Sequence, residues 1–253
     1  MNEGKILYAM FYRQVKRYFR AKSRIVGTIV NPLIFFLFLG MGFNASMRGL
    51  SASLGVDYLA FLAPGIVVMT TFSASFIGGI SVIWDREFGF LKEVLVAPAS
   101  RSYAIVGRSL GDSFASILQA LLIMLLIYAV APLNLPGLLP SLAVCFLTSL
   151  AFNNLGIAIA SRMRSPEGFQ LIANLLMLPL IFLSGAFYPI SNLPQVVKPL
   201  FYLNPLTYSV DLVRYLMVGI SAVSPTLDVL ILAVMASALS LVSARMFNMS
   251  TLD

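Results

Sequence analysis

The chain has 253 residues, 59% of them apolar and only 11% charged, with 17 basic and 10 acidic residues for a net charge of +7. Its mean hydropathy is +0.92. Soluble domains are about 45–50% apolar and about 25% charged, so this composition excludes a soluble enzyme, a secreted disulfide scaffold and a disordered tail.

Residues 1–24 hold Lys5, Arg13, Lys16, Arg17, Arg20, Lys22 and Arg24. Apolar residues at 8, 11, 12, 15, 18 and 19 follow helical spacing. Arg13, Lys16, Arg17 and Arg20 fall mostly on the opposite face. This pattern predicts an amphipathic helix lying in the cytoplasmic interface, with its cations near anionic head groups. No cleaved signal peptide is expected, because the basic region is long and no small-residue cleavage pattern follows the apolar run.

A bilayer core about 30 Å thick needs about 20 apolar residues per helix. Charge-free runs occupy 25–47, 58–84, 113–161 and 168–197. The longest is cut by Pro132, Pro136, Gly137 and Pro140 into two helices and a turn. A last apolar run covers about 226–247. The expectation is an all-α membrane protein of one domain, 1–253, with six spans: about 25–44, 60–83, 106–131, 137–161, 168–188 and 226–247. Six spans place 14 basic residues on one side and only Arg48, Lys198 and Arg214 on the other. That asymmetry predicts a multi-pass cell-membrane protein with both termini in the cytoplasm.

The connection after the second span reads Trp84, Asp85, Arg86, Glu87, Phe88, Gly89, Phe90, Leu91, Lys92, Glu93. Charges alternate there with aromatic and aliphatic residues, and Pro98 ends the segment. A short charged helix of this kind suits docking of a soluble partner, with apolar side chains filling a groove and charges setting register.

On the external side, residues 186–225 contain Pro189, Pro194, Pro199 and Pro205. Stretches 193–203 and 206–218 are apolar but too short to cross, and read as re-entrant or interfacial helices forming a lid or gate. Asp211 and Arg214, three apart, are expected to pair on one helical face.

Other signals point to packing. Gly107-Arg108-Ser109-Leu110-Gly111 matches a hydrolase elbow, but it opens a helix rather than following a strand. The chain has no histidine to serve as base, ligand or pH switch. Asp112, at the start of the third span, suits a helix N-terminus or a pair with Arg108. Asn153 and Asn154 lie mid-span, where hydrogen bonds between helices are the ordinary use. Cys145 is the single cysteine. No phosphate-binding loop occurs. No catalytic residue, metal site or cofactor is therefore expected, and any pumping would need energy from another subunit.

Three stretches carry a family resemblance: REFGFLKEVLVAPASRSYAIVGRSLGD at 86–112, LSGAFYPISNLP at 183–194 and NPLTYSVDLVRYLMVG at 204–219. The chain resembles ABC-2 type permeases, the membrane subunits of ABC exporters, whose branches include daunorubicin-type drug-resistance, Nod-factor, and O-antigen or teichoic-acid permeases. The resemblance implies a type V exporter fold. In it two permease copies, most simply a homodimer, surround a path and bind two ATPase subunits. Residues 84–97 would be the coupling region on the ATPase. Gly185, Tyr188, Pro189, Pro194, Asn204, Pro205, Tyr208, Asp211 and Arg214 would belong to the external gate. The cargo it implies is hydrophobic, drug-like or lipid; lipid-linked polysaccharide is the alternative. No nucleic acid partner is expected. Outside the family, a non-transporting membrane scaffold is the competing reading.

Overall fold

The computed structural model describes residues 3–44, 55–90, 101–131 and 133–249. Among them the regular structure is entirely helical: α1 Glu3–Arg20, α2 Lys22–Asn44, α3 Tyr58–Gly78, α4 Ser81–Glu87, α5 Arg101–Tyr128, α6 Leu138–Arg162, α7 Pro166–Phe182, α8 Lys198–Leu203, α9 Pro205–Val218 and α10 Pro225–Met249.

Five stretches are long and apolar enough to cross a bilayer: 25–42 in α2, 58–87 covering α3 and α4, 102–128 in α5, 135–162 with α6, and 225–247 in α10. The fifth expected span differs. Its helix, α7, has 17 residues, carries Pro179 near its end and stops at Phe182, short of the expected 188. The remainder turns through Gly185 at φ 71°. In the region expected to hold a helix over 193–203, helix covers only Lys198–Leu203, because Pro194 starts a turn that reaches Val197.

Helix α3 is the centre. Phe61, Leu62, Ile66, Val67, Phe72 and Phe76 are fully or almost fully buried. Phe72 meets Phe152 of α6 edge-on at 4.5 Å, and Phe76 stacks on Phe169 of α7 at 6.0 Å. Helices α2 and α10 flank this core and leave Phe38, Met41, Leu230, Val234 and Leu241 exposed. Such a girdle would be a liability in water and is the ordinary outer face of a helix in lipid.

The expected single helix over 60–83 is instead two, joined at Gly79 and Ile80. The amides there tighten to the third residue back, Gly79 onto Phe76 O and Ile80 onto Ile77 O, each at 3.1 Å. Close contact with α6 accounts for the glycine. A Cβ on Gly79 would lie 2.3 Å from the Gly156 carbonyl carbon, and one on Gly156 would lie 2.3 Å from Phe76 O. Small residues let the two backbones touch.

The proline inside α2 is matched from a neighbouring helix. Pro32 has no N–H to give to the carbonyl of Thr28, four residues earlier. Gln119 of α5 donates to that oxygen at 3.1 Å.

Candidate functional site: a clamped segment after α3 and a knotted turn after α7

Asp85 is the hub of the end where α1, α4 and α5 meet. It is buried, and Arg108 Nη1 donates to its Oδ2 at 2.7 Å. Arg108 also donates through Nη2 to Ser81 Oγ. From α1, Arg13 approaches the same carboxylate in two-pronged fashion, Nη1 to Oδ2 at 3.1 Å and Nη2 to Oδ1. Both guanidiniums are thus ion-paired with Asp85. A carboxylate shared by two guanidiniums fixes both helices to α4 with geometric precision. Arg13 also lies over the Phe90 ring, 3.6 Å from its centroid.

Arg86 points the other way. It donates to Ser161 O at 2.9 Å and Met163 O at 3.0 Å. Those carbonyls end α6, so a cation sits where a helix leaves unpaired acceptors and partial negative charge.

The predicted docking residues therefore divide. Asp85 and Arg86 are turned inward and hold the segment. Trp84, Glu87 and Phe88 face outward, and Phe88 is 83% exposed. Gly89 ends the helix at φ 77°, a left-handed conformation that favours glycine. Leu91, Lys92 and Glu93 lie outside the described residues.

The N-terminal helix corrects its expected orientation. Tyr8, Tyr12 and Phe19 are exposed, as a lipid-facing stripe requires. Phe11, however, packs on Phe114 at 5.7 Å, and Arg13 turns inward to Asp85. The reason is in α5. Gly107 and Gly111 carry no side chains, and a Cβ on either would lie within 3 Å of α1 atoms of Leu7, Phe11 or Gln14. The hydrolase-like Gly-x-Ser-x-Gly pattern is thus a seat for α1, and Arg108 within it is the Asp85 partner rather than the Asp112 partner. Burial pushes the Arg17 guanidinium below its usual value, against the opposing pull of Asp112.

At the other end, α7 stops without a capping glycine at its last turn, and side chains from the two remaining motifs satisfy its carbonyls. Asn204 donates to Leu180 O at 2.7 Å, Tyr188 OH to Phe182 O at 2.8 Å, and Thr207 to Leu183 O at 3.2 Å. Asn204 Oδ1 meanwhile caps α9 by accepting from Leu206 N–H, followed by Pro205 at the first helical position. Tyr208 OH donates to Tyr202 O. Pro189 precedes the short turn at 190–192.

Asp211 and Arg214 do not pair. Asp211 accepts from the amides of Ala222 and Val223, both at 2.9 Å at their shortest. Arg214 is buried, lies over Phe61 at 3.9 Å, and donates to Gly185 O at 2.8 Å and Phe61 O at 3.3 Å. The carboxylate ties α9 to the start of α10, and the guanidinium ties it to the Gly185 turn and α3. Local backbone groups outbid the i, i+3 pairing because, once buried, they also need partners.

Asn153 and Asn154 do bridge helices. Asn153 donates to Ser75 O at 3.1 Å, and Asn154 reaches Ser109 of α5 at 2.9 Å and Ser240 of α10 at 3.0 Å. Arg13 and Gln119 are the contributors that the sequence reading missed. The signal for the first was the Gly107–Gly111 spacing, which demands a close helix. The signal for the second was a proline in the middle of a span.

Among the described residues there is no group of three or more His, Cys, Asp or Glu side chains that could hold a metal ion. The chain is 34% identical over 212 residues to a putative transport permease ycf38 of Cyanophora paradoxa, covering 80% of this chain and 72% of that one. It is 29% identical over 211 residues to nodulation protein J of Rhizobium leguminosarum bv. trifolii, covering 83% and 78%. A ycf38 permease of Pyropia yezoensis matches at 29% over 214 residues, with 82% and 72% covered. The ABC-2 type transporter family matches residues 6–218, from α1 through the end of α9 and so across both sites, and the chain belongs to that family.

Proposed function

We propose that this chain is the membrane subunit of an ATP-driven exporter that moves hydrophobic, drug-like or lipid molecules out of the cytoplasm or the inner leaflet. Hydrolysis would sit on a separate ATPase, two copies of which serve two copies of this permease. The observation that carries the reading is the Asp85 clamp. A segment held by Arg13, Arg108 and Arg86 presents Trp84, Glu87 and Phe88 outward from a rigid base. A push on that surface would be delivered to α1, α5 and α6 together.

Six crossings, with α7 as the fifth, put this segment and both termini in the cytoplasm. The 17 residues of α7 meet the lower limit of about 17 for a span. The exposed apolar faces of α2 and α7, including Phe38, Leu175 and Leu178, suit pairing with a second copy. The knot at Gly185, Tyr188, Asn204, Asp211 and Arg214 would be the external gate, with Pro194 and Pro205 at its bends. The ATPase pair would favour one permease state on binding ATP and so shift its population.

The test is co-expression with a candidate ABC ATPase subunit from the same genome. Complex formation and ATP hydrolysis are expected to fall with Glu87→Lys and Phe88→Ala. Full assembly and activity of both variants, or transport by the isolated chain, would overturn the reading.

A further inference from the structure

Two cavities on one side of the bundle adjoin, with Thr28, Ala74 and Gln119 in the walls of both. The lower chamber, about 230 Å³, lies against α1 and is bounded by Gln14, Arg17, Asp112 and Trp84. The upper chamber, about 480 Å³, lies between α2, α3 and α7 and is bounded by Phe35, Met69, Leu178 and Phe187. The larger chamber is within the ~300–1,000 Å³ range of small-molecule sites. Along α3 the walls run from Gly78 to Met69, about 14 Å at 1.5 Å per residue. That is about half of a ~30 Å hydrocarbon core.

The two chambers differ in chemistry. The upper one is lined mainly by apolar side chains. The lower one holds a guanidinium, a carboxylate and an amide. Gln14 is buried, and its Nε2 donates to Asp112 Oδ2 at 3.3 Å. Its Oε1 accepts nothing from the described residues. Buried amide oxygens are normally partnered, so this one calls for a donor from outside. A water would meet that need but would not account for the apolar chamber that adjoins it.

We propose that the two chambers act as one groove and bind one zwitterionic amphiphile, with its ammonium on Gln14 Oε1 and Asp112, its anionic group on Arg17 and its tail in the upper chamber. A head carrying only negative charge would meet Asp112, and one carrying only positive charge would meet Arg17. A head carrying both complements the pair. An ammonium also brings three donors to a site whose carbonyl oxygen lacks one. The length of the groove fits one leaflet, with the head at the level of α1. The leaflet rests on the orientation proposed above; the site itself does not.

The experiment is native mass spectrometry of the detergent-solubilised chain with an equimolar mixture of phosphatidylethanolamine, phosphatidylcholine and phosphatidylglycerol. Phosphatidylcholine carries both charges but no ammonium N–H, and phosphatidylglycerol has no ammonium. One phosphatidylethanolamine per chain is expected, about tenfold preferred over either competitor, the scale of one charge-assisted hydrogen bond. Gln14→Leu is expected to erase the preference over phosphatidylcholine. Ala74→Phe, at the waist shared by the chambers, is expected to abolish retention of all three lipids. Equal retention of the lipids by the unsubstituted chain, or retention untouched by both substitutions, would overturn the proposal. No ATPase takes part, so the outcomes separate. A chain that selects phosphatidylethanolamine but never engages an ATPase keeps the groove and loses the exporter reading, and the converse holds.

Discussion

Arg108 Nη1 lies 2.7 Å from Asp85 Oδ2, although the two residues are 23 positions apart and on different helices. Asp85 also holds Arg13, so removing its charge leaves two guanidiniums facing each other, one of them buried. Breaking a buried ion pair from one side costs about 3–5 kcal/mol, whereas replacing both partners by apolar residues is far milder. The side chain of Arg13 is 29% exposed and adds less. Asp85→Asn is expected to lose about 3 kcal/mol in detergent, and Asp85→Leu with Arg108→Met clearly less. Thermal unfolding followed through Trp84 fluorescence reads both. Equal losses in the single and double variants would show that the pair does not hold the segment.

The outward residues of the same segment carry the opposite expectation. Phe88 is 83% exposed, and Glu87 is exposed beside it. Exposed substitutions away from caps and cores fall within about 0.5 kcal/mol. Phe88→Ala and Glu87→Lys are therefore expected to leave Tm nearly unchanged while ATPase association falls. A large Tm loss in either variant would assign these residues to folding rather than docking.

The long apolar helices were legible because a 20-residue apolar run has few alternative fates, and the expected starts and ends of α2, α5, α6 and α10 lie within about five residues of those observed. Interhelical use of Asn153 and Asn154 was equally readable, since a mid-span amide has little else to bond. Pairing was not legible. Asp211 with Arg214, and Asp112 with Arg108, satisfied the helical spacing rule, yet each arginine went elsewhere. A spacing rule counts only neighbours on one helix. In the fold, Arg108 competes for Asp85 on α4, and Arg214 serves carbonyls near Gly185. The facing of α1 failed for a related reason. Its aromatic and basic stripes are nearly balanced, and the choice between them was made by glycines about 100 residues away in α5.

The α3–α6 crossing gives a test of packing alone. Gly79→Ala and Gly156→Ala each place a methyl within 2.3 Å of a backbone atom, whereas Gly27→Ala meets nothing within 4 Å. Overpacking costs about 1–3 kcal/mol. Both crossing variants are expected to lower Tm, with Gly27→Ala as an indifferent control on a neighbouring helix. Indifference at Gly79 and Gly156 would mean that the two helices are not held at this separation.

The proline in α2 permits a sharper test, because it predicts a reversal. Gln119 donates to Thr28 O, the acceptor that residue 32 would serve if it had an N–H. Gln119→Leu removes that donor and is expected to destabilise the chain by about 1 kcal/mol, the net worth of one hydrogen bond. In a Pro32→Ala background the helix supplies its own N–H, so the same substitution is expected to cost much less. The interaction energy of the double-mutant cycle, read from unfolding midpoints, isolates this coupling. Additive losses would mean that Gln119 contributes through packing, and that α2 tolerates its proline by bending instead.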